Sequence, residues 1–178
     1  MTRVYCTKKL KDFIGNVDET LPLDYNDIKI SDWNAHLFYV DKKKCIVFVN
    51  ILTYYSVFIV DIVKKDVKNM NEIFLKRLNV QLIQDNILVD LKNTKILTDG
   101  ATINFIKTNN NKKLIGIINN FVSIFKHHRY YKYDTLKEMD VVYENGLINS
   151  IPTGQYEANE NKWSSPIDNV QSILNSDI

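Results

Sequence analysis

The stretch WNAHLFYVDKKKCIVFVN, residues 33–50, decides how this chain is built. A period of two puts Trp33, Ala35, Leu37 and Tyr39 on one face of a strand, and Asn34, His36, Phe38 and Val40 on the other. DKKK at 41–44 reads as a charged turn, with Cys45 to Asn50 as the returning strand. Tyr54 to Asp61, rich in β-branched and aromatic residues, makes a third strand. The expectation is an antiparallel meander.

Upstream, Arg3 to Thr7 reads as a short strand and Lys8 to Ile14 as a polar helical turn or two, stopped by Gly15. Residues 16–32, acidic and carrying Pro22, read as a loop. Downstream the period changes. Val67, Met70, Ile73, Phe74, Leu78 and Leu82 recur at helical spacing, which predicts a helix over Val67 to Gln84 with Asp66 as its N-cap. A shorter helical piece is expected at Ile87 to Leu91. Thr102 to Lys107 returns to strand. A second long helix then carries Leu114, Ile118, Phe121 and Phe125 on one stripe and ends in KHHRYYKY, where cations suit the helix dipole. Residues 134–166 read as a loop or extended arm. In SSPIDNVQSIL, Ser165 at N-cap, Pro166 at N1 and Asp168 at N3 predict a terminal helix with one apolar face. The fold class expected is α+β: an antiparallel sheet of four to five strands with two main helices packed on one face. The core domain is placed at residues 1–133, and the arm with its amphipathic helix at 134–178.

A chain of 178 residues with 45% hydrophobic and 25% charged content is most naturally one domain that buries a real core. A net charge of +2 demands no polyanionic partner, so any basic patch is local. The two cysteines, Cys6 and Cys45, are too few for a disulfide framework and read as buried, reduced thiols. The window Cys45 to Val63 is broken by Asn50, Thr53, Ser56 and Asp61 and does not read as a bilayer span, and MTRVYCTKKLKDF has no signal-peptide core. A cytoplasmic protein is expected.

Several segments carry polar residues that bear on function. Asn34, His36 and Asn50 on the hairpin form a ligand cluster if the strands bring them together; otherwise they serve the sheet edge and its turns. In KTNNNKK, Lys107, Thr108, Asn109 and Lys112 lie where a strand feeds a helix N-terminus, and Asn119 follows on that helix. Such a place suits a phosphate or another anion, or simply caps the helix. Lys126, His127, His128, Arg129, Tyr130 and Lys132 combine cations with aromatics, the composition of a nucleic-acid or acidic-partner patch. Ile167, Val170, Ile173 and Leu174 form the apolar face of the terminal helix, which is expected to engage a partner or a second copy of the chain. No ligand spacing for a metal, no nucleophile elbow and no glycine-rich phosphate loop occurs, so neither metal nor cofactor is expected.

Arg3 to Leu10 (R-x-x-C-T-K-K-L), the W-x-A-x-L of Trp33 to Leu37, the following F-V-N, the later K-T-N and L-I-G-I-I-N-N together resemble an uncharacterised bacterial family of small proteins. It is a domain of unknown function, sometimes found near mobile-element passenger genes. Trp33, Ala35, Leu37, Asn50, Thr108, Asn109, Gly116 and Asn119 match its pattern. The resemblance implies no established activity and no catalytic residue. The functional expectation is a non-catalytic binding module for a protein or nucleic-acid partner, antitoxin-like or active in host–element conflict. The alternatives are a ribonuclease-type toxin using His36, His127 or Arg129 with nearby lysines, and a binder of a phosphate-bearing small ligand.

Overall fold

In a computed structural model, the chain is described over residues 2–15, 17–18, 28–87, 97–98, 102–108, 111–153 and 163–176. The elements run β1 (Thr2–Cys6), α1 (Lys8–Ile14), β2 (Trp33–Val40), β3 (Lys43–Asn50), β4 (Ser56–Ile59), a 3₁₀ turn (Lys64–Asn69), α2 (Met70–Gln84), β5 (Ile103–Lys107), α3 (Lys112–Lys132), α4 (Val141–Asn149) and α5 (Pro166–Ser176). Parts of the expected loop (19–27), the helical piece at 88–91, Asn109 and part of the expected arm (154–162) lie outside the described residues.

The fold is α+β around a five-stranded sheet in the order β4-β3-β2-β1-β5. The meander forms as its sequence predicts, with Trp33 opposite Asn50, Val40 opposite Lys43 and Ile46 opposite Ile59. The sheet as a whole is mixed, which corrects the antiparallel expectation: β1 runs parallel to both β2 and β5. A crossover through α1 separates β1 from β2, and a crossover connection returns a strand in parallel register.

The helices also depart from the expected layering. Phe74, Leu78 and Leu82 of α2 pack in one core with Trp33, Ala35, Leu37, Ile46, Phe48 and Val57, joined by Leu10 of α1 and Val170 and Leu174 of α5. Leu114, Ile118, Phe121 and Phe125 of α3 pack in a second core with Tyr5, Phe38, Val40, Cys45, Val47, Val49 and Phe58. By the alternation of β2 and β3 these are opposite faces of the sheet, so the two main helices sandwich it. The physical reason is legible in β3, where Cys45 to Val49 are all fully buried. A strand covered on both sides reads as a continuous apolar run, not an alternation.

Two helix starts are capped as their sequences require. The Asn111 side chain accepts from the Leu114 N–H at 3.1 Å. Ser165 and Asp168 exchange bonds, the Ser165 N–H donating to Asp168 Oδ2 at 3.0 Å and the Asp168 N–H to Ser165 Oγ at 3.2 Å. The predicted helix start at Val67 is instead a 3₁₀ turn, inside which Asp66 accepts from the Val63 N–H at 2.9 Å.

Val141–Asn149 lies in the segment whose composition reads as loop or arm, and it is a helix. Its sequence VVYENGLIN is weak in helix formers, and tertiary bonds override that weakness. Asn145 and Asn149, four apart on one face, reach the outer edge of β4. The Phe58 N–H donates to Asn145 Oδ1 at 3.0 Å and the Ser56 N–H to Asn149 Oδ1 at 2.8 Å. Both amide Nδ2 groups donate to the Ser56 carbonyl, at 3.1 and 3.0 Å, while Arg77 Nε donates to the Phe58 carbonyl at 3.1 Å. Side chains thus take the place of a sixth strand.

Candidate functional site

The longest helix, α3, carries most of the polar residues that the sequence marks for function, and the structure sorts them into two sets. One set holds the fold together. Arg129 is buried; its Nε donates to Asp41 Oδ2 at 2.7 Å, tying the helix to the β2–β3 turn. Glu144 of α4 is buried and gathers three neighbours. Lys132 Nζ donates at 3.0 and 3.2 Å, the Tyr133 hydroxyl donates at 2.7 Å, and His128 Nδ1 lies 2.6 Å away. Burial opposes ionisation of Glu144, but the bonds from Tyr133 and Lys132 and the charge on His128 outweigh it and lower its pKa. The same contact pushes Tyr133 up to about 12.

The second set faces solvent. Tyr131 is 78% exposed and Tyr130 59%. The His127 ring lies 4.2 Å from that of Tyr131, centroid to centroid, and the Arg129 guanidinium sits 5.2 Å over Tyr130. Lys126 is half-buried beside them. Toward the start of the helix, Lys112, Lys113, Gly116, Asn119, Asn120 and Ser123 are exposed. A Cβ on Gly116 would meet nothing within 4 Å, so this part of the face is open and flat. Not one Asp or Glu occurs among the 21 residues of α3.

The hairpin cluster does not assemble. His36 lies on the α3 face of the sheet, opposite Val47, whereas Asn50 lies on the α2 face, opposite Trp33. Asn50 sets the β3–β4 turn: its Oδ1 accepts from the Leu52 and Thr53 N–H groups and the Thr53 hydroxyl, at 3.0–3.1 Å, and its Nδ2 donates to the Ile30 carbonyl at 2.6 Å. His36 Nδ1 is 3.1 Å from Thr7 Oγ1. Burial lowers the pKa of His36, and the charges of Lys9 and Lys126 lower it further. Asn34, on the same face as His36, is fully buried, and neither amide atom has a hydrogen-bond partner among the described residues.

Of the strand-to-helix segment, Lys107 and Lys112 are exposed, Thr108 is half-buried and bonds the Cys6 carbonyl through its N–H at 3.1 Å, and Asn119 faces outward on α3. The terminal helix is spent on the chain's own core. Val170 and Leu174 are buried there, Ile167 packs against them, Ile173 is half-buried, and Asn169 Nδ2 donates to the Thr53 carbonyl at 3.2 Å. That corrects the expectation that this helix is held out for a partner.

Sequence reasoning missed one polar network. Between α2, β4 and α4, Asp85 is almost fully buried. It accepts from the Tyr55 hydroxyl at 2.6 Å, Gln81 Nε2 at 3.0 Å and Asn149 Nδ2 at 3.2 Å. Burial raises the Asp85 pKa against the effect of those three bonds, and burial followed by the Asp85 charge raises Tyr55 well above its ordinary value. A Cβ on Gly146 would stand 2.7 Å from Asp85 Oδ1, so this glycine lets α4 approach the carboxylate. The signal available in the sequence was the four-residue spacing of Gln81 with Asp85 and of Asn145 with Asn149.

Burial pushes the thiols of Cys6 and Cys45 up to about 12 and about 11, the reverse of what a nucleophile needs. Among the described residues, no three His, Cys, Asp or Glu side chains gather to hold a metal ion, and no helix is long and apolar enough to cross a membrane. Fold and surface together define an α+β domain with a mixed five-stranded sheet and an acid-free helix along one face. The chain belongs to the DUF6933 family, a domain of unknown function, which it matches over residues 3–169. No curated protein matches it.

Proposed function

We propose that this protein is a non-catalytic, cytosolic nucleic-acid-binding module that takes a single-stranded RNA or DNA along the outer face of α3. The observation that carries the reading is the charge and composition of that face: 21 residues without an acid, lysines at one end, exposed Tyr130, Tyr131 and His127 at the other, and small polar side chains between. Cations track a phosphate backbone, and exposed aromatic rings stack on unpaired bases. Two acids that touch the helix, Asp41 and Glu144, are already met by Arg129 and by Lys132, Tyr133 and His128. The non-catalytic part rests on where the reactive groups are spent: Asp85 and Glu144 hold neighbouring elements, and both thiols are buried. A regulatory role of the antitoxin kind, in conflict between host and mobile element, is the setting such a module fits.

Fluorescence anisotropy with a labelled single-stranded RNA tests the reading. Affinity is expected to fall as salt rises, and Lys112→Ala with Lys113→Ala to flatten that slope. Tyr131→Ala is expected to weaken binding by about 1–3 kcal/mol without changing the slope. The RNA is expected to stay intact. Cleavage that disappears in His127→Ala would replace this reading with the ribonuclease, and affinity indifferent to all three substitutions would remove α3 as the binding face.

A further inference from the structure

β1 and β5 are adjacent and parallel, yet the chain leaves them toward opposite faces of the sheet. From β1 it enters α1, whose Leu10 joins the first core, and from β5 it enters α3, whose Leu114 joins the second. A reversal of this kind opens a crevice outside the carboxyl ends of the two strands, the place where open parallel sheets bind their ligands. The carboxyl ends here are Cys6 and Lys107, and the Thr108 N–H bonded to the Cys6 carbonyl holds the two exits side by side.

The side chains at this corner share one chemistry. Thr7, the first residue beyond β1, places its hydroxyl 3.1 Å from His36 Nδ1. The two charges that bear on His36 are both positive, Lys9 from the first turn of α1 and Lys126 from α3. Burial and these two ammonium charges disfavour the protonated ring, and an anion bound beside it would shift that balance back. Asn34 stands two residues below His36 on the same face of β2. It is fully buried, and among the described residues its carbonyl and its amine have no partner, which leaves hydrogen-bonding capacity next to the corner.

We infer that this corner is a binding site for a phosphate group, with Lys9, Lys126 and His36 as its cationic partners, the Thr7 hydroxyl as a further donor and Asn34 as the polar group behind them. A phosphate monoester suits the set because its oxygens and double charge match several donors converging from different elements. Of the residues on α3 the site uses only Lys126, and none of the stacking rings of Tyr130 and Tyr131. The phosphate comes either from a small phosphorylated ligand or from the phosphorylated end of a nucleic-acid strand.

The test is NMR of the His36 ring in the full chain, titrated with inorganic phosphate at constant ionic strength. The His36 signals are expected to move and saturate, with the ring titrating at higher pH when phosphate is bound. Lys9→Ala and Lys126→Ala are each expected to weaken binding about tenfold, the loss of one charge-assisted bond, whereas Lys76→Ala on α2, which packs on the other face of the sheet, changes nothing. His36 signals that stay still, or that move equally in the Lys9 and Lys126 variants, overturn the proposal. Further arms with a mononucleotide and with 5′-phosphorylated and 5′-hydroxyl oligonucleotides identify the source. Equal binding of inorganic phosphate and mononucleotide marks a small ligand, and preference for the phosphorylated oligonucleotide marks a strand end. Tyr131→Ala leaves phosphate binding unchanged, so failure here is distinguishable from failure of the α3 face to bind RNA.

Discussion

Asp85 shows what the interior does to a single charge. Its carboxylate has lost most of its water and keeps three donors, from Tyr55, Gln81 and Asn149. Its pKa is raised in the folded chain, so the folded state binds the proton more tightly than the unfolded one. Asp85 therefore favours folding at acid pH, and that contribution is lost as pH rises through its ordinary carboxylate range toward its folded value. Tyr55→Phe removes one of the donors that the charged form needs. The expected cost is about 1–3 kcal/mol at neutral pH, shrinking as Asp85 protonates, and urea denaturation at pH 5 and pH 8 checks both size and sign. The thiols give a second test at this scale. With Cys6 and Cys45 buried and their pKa values pushed to about 12 and about 11, the native protein is expected to resist a thiol reagent at pH 8, and both sites to react once urea unfolds it.

At the scale of elements, the clamp of α4 on β4 decides whether the sheet has an open edge. Asn145→Ala strands the Phe58 N–H, and Asn149→Ala strands the Ser56 N–H and withdraws a donor from Asp85. Each is expected to cost about 1–3 kcal/mol per polar group left unpaired, with self-association visible in light scattering, since an uncovered edge is a template for pairing. Gly146→Ala brings a methyl against Asp85 Oδ1 and is expected to destabilise by about 1–3 kcal/mol in the same denaturation assay. None of this clamp shows in the periodicity of residues 141–149, because the side chains that matter there are polar and inward. Hydrophobic patterning reads α3 and α5 well because an apolar stripe and a cap define them. It passes over α4 because polar bonds to another strand hold much of that helix.

Across the whole molecule, legibility follows how far apart the interacting residues lie. The β2–β3 hairpin could be read from residues 33–50 because its partners are neighbours joined by a two-residue turn at Asp41 and Lys42. The pairing of β1 with β5 joins residues a hundred positions apart, and no local pattern announces its direction. The site was split for the same reason. Asn50 and His36 sit close in sequence pattern but on opposite faces, while His36 and Thr7 meet from two separate parts of the chain.

The place of α5 carries a consequence for synthesis. Val170 and Leu174 fill the same core as Val4 and Leu10, so β1 leaves the ribosome long before the helix that completes the cover of its face. A nascent chain paused before residue 170 leaves oily surface of that core uncovered. Closure of the α2 face therefore follows translation of α5, and the burden on chaperones falls on that interval.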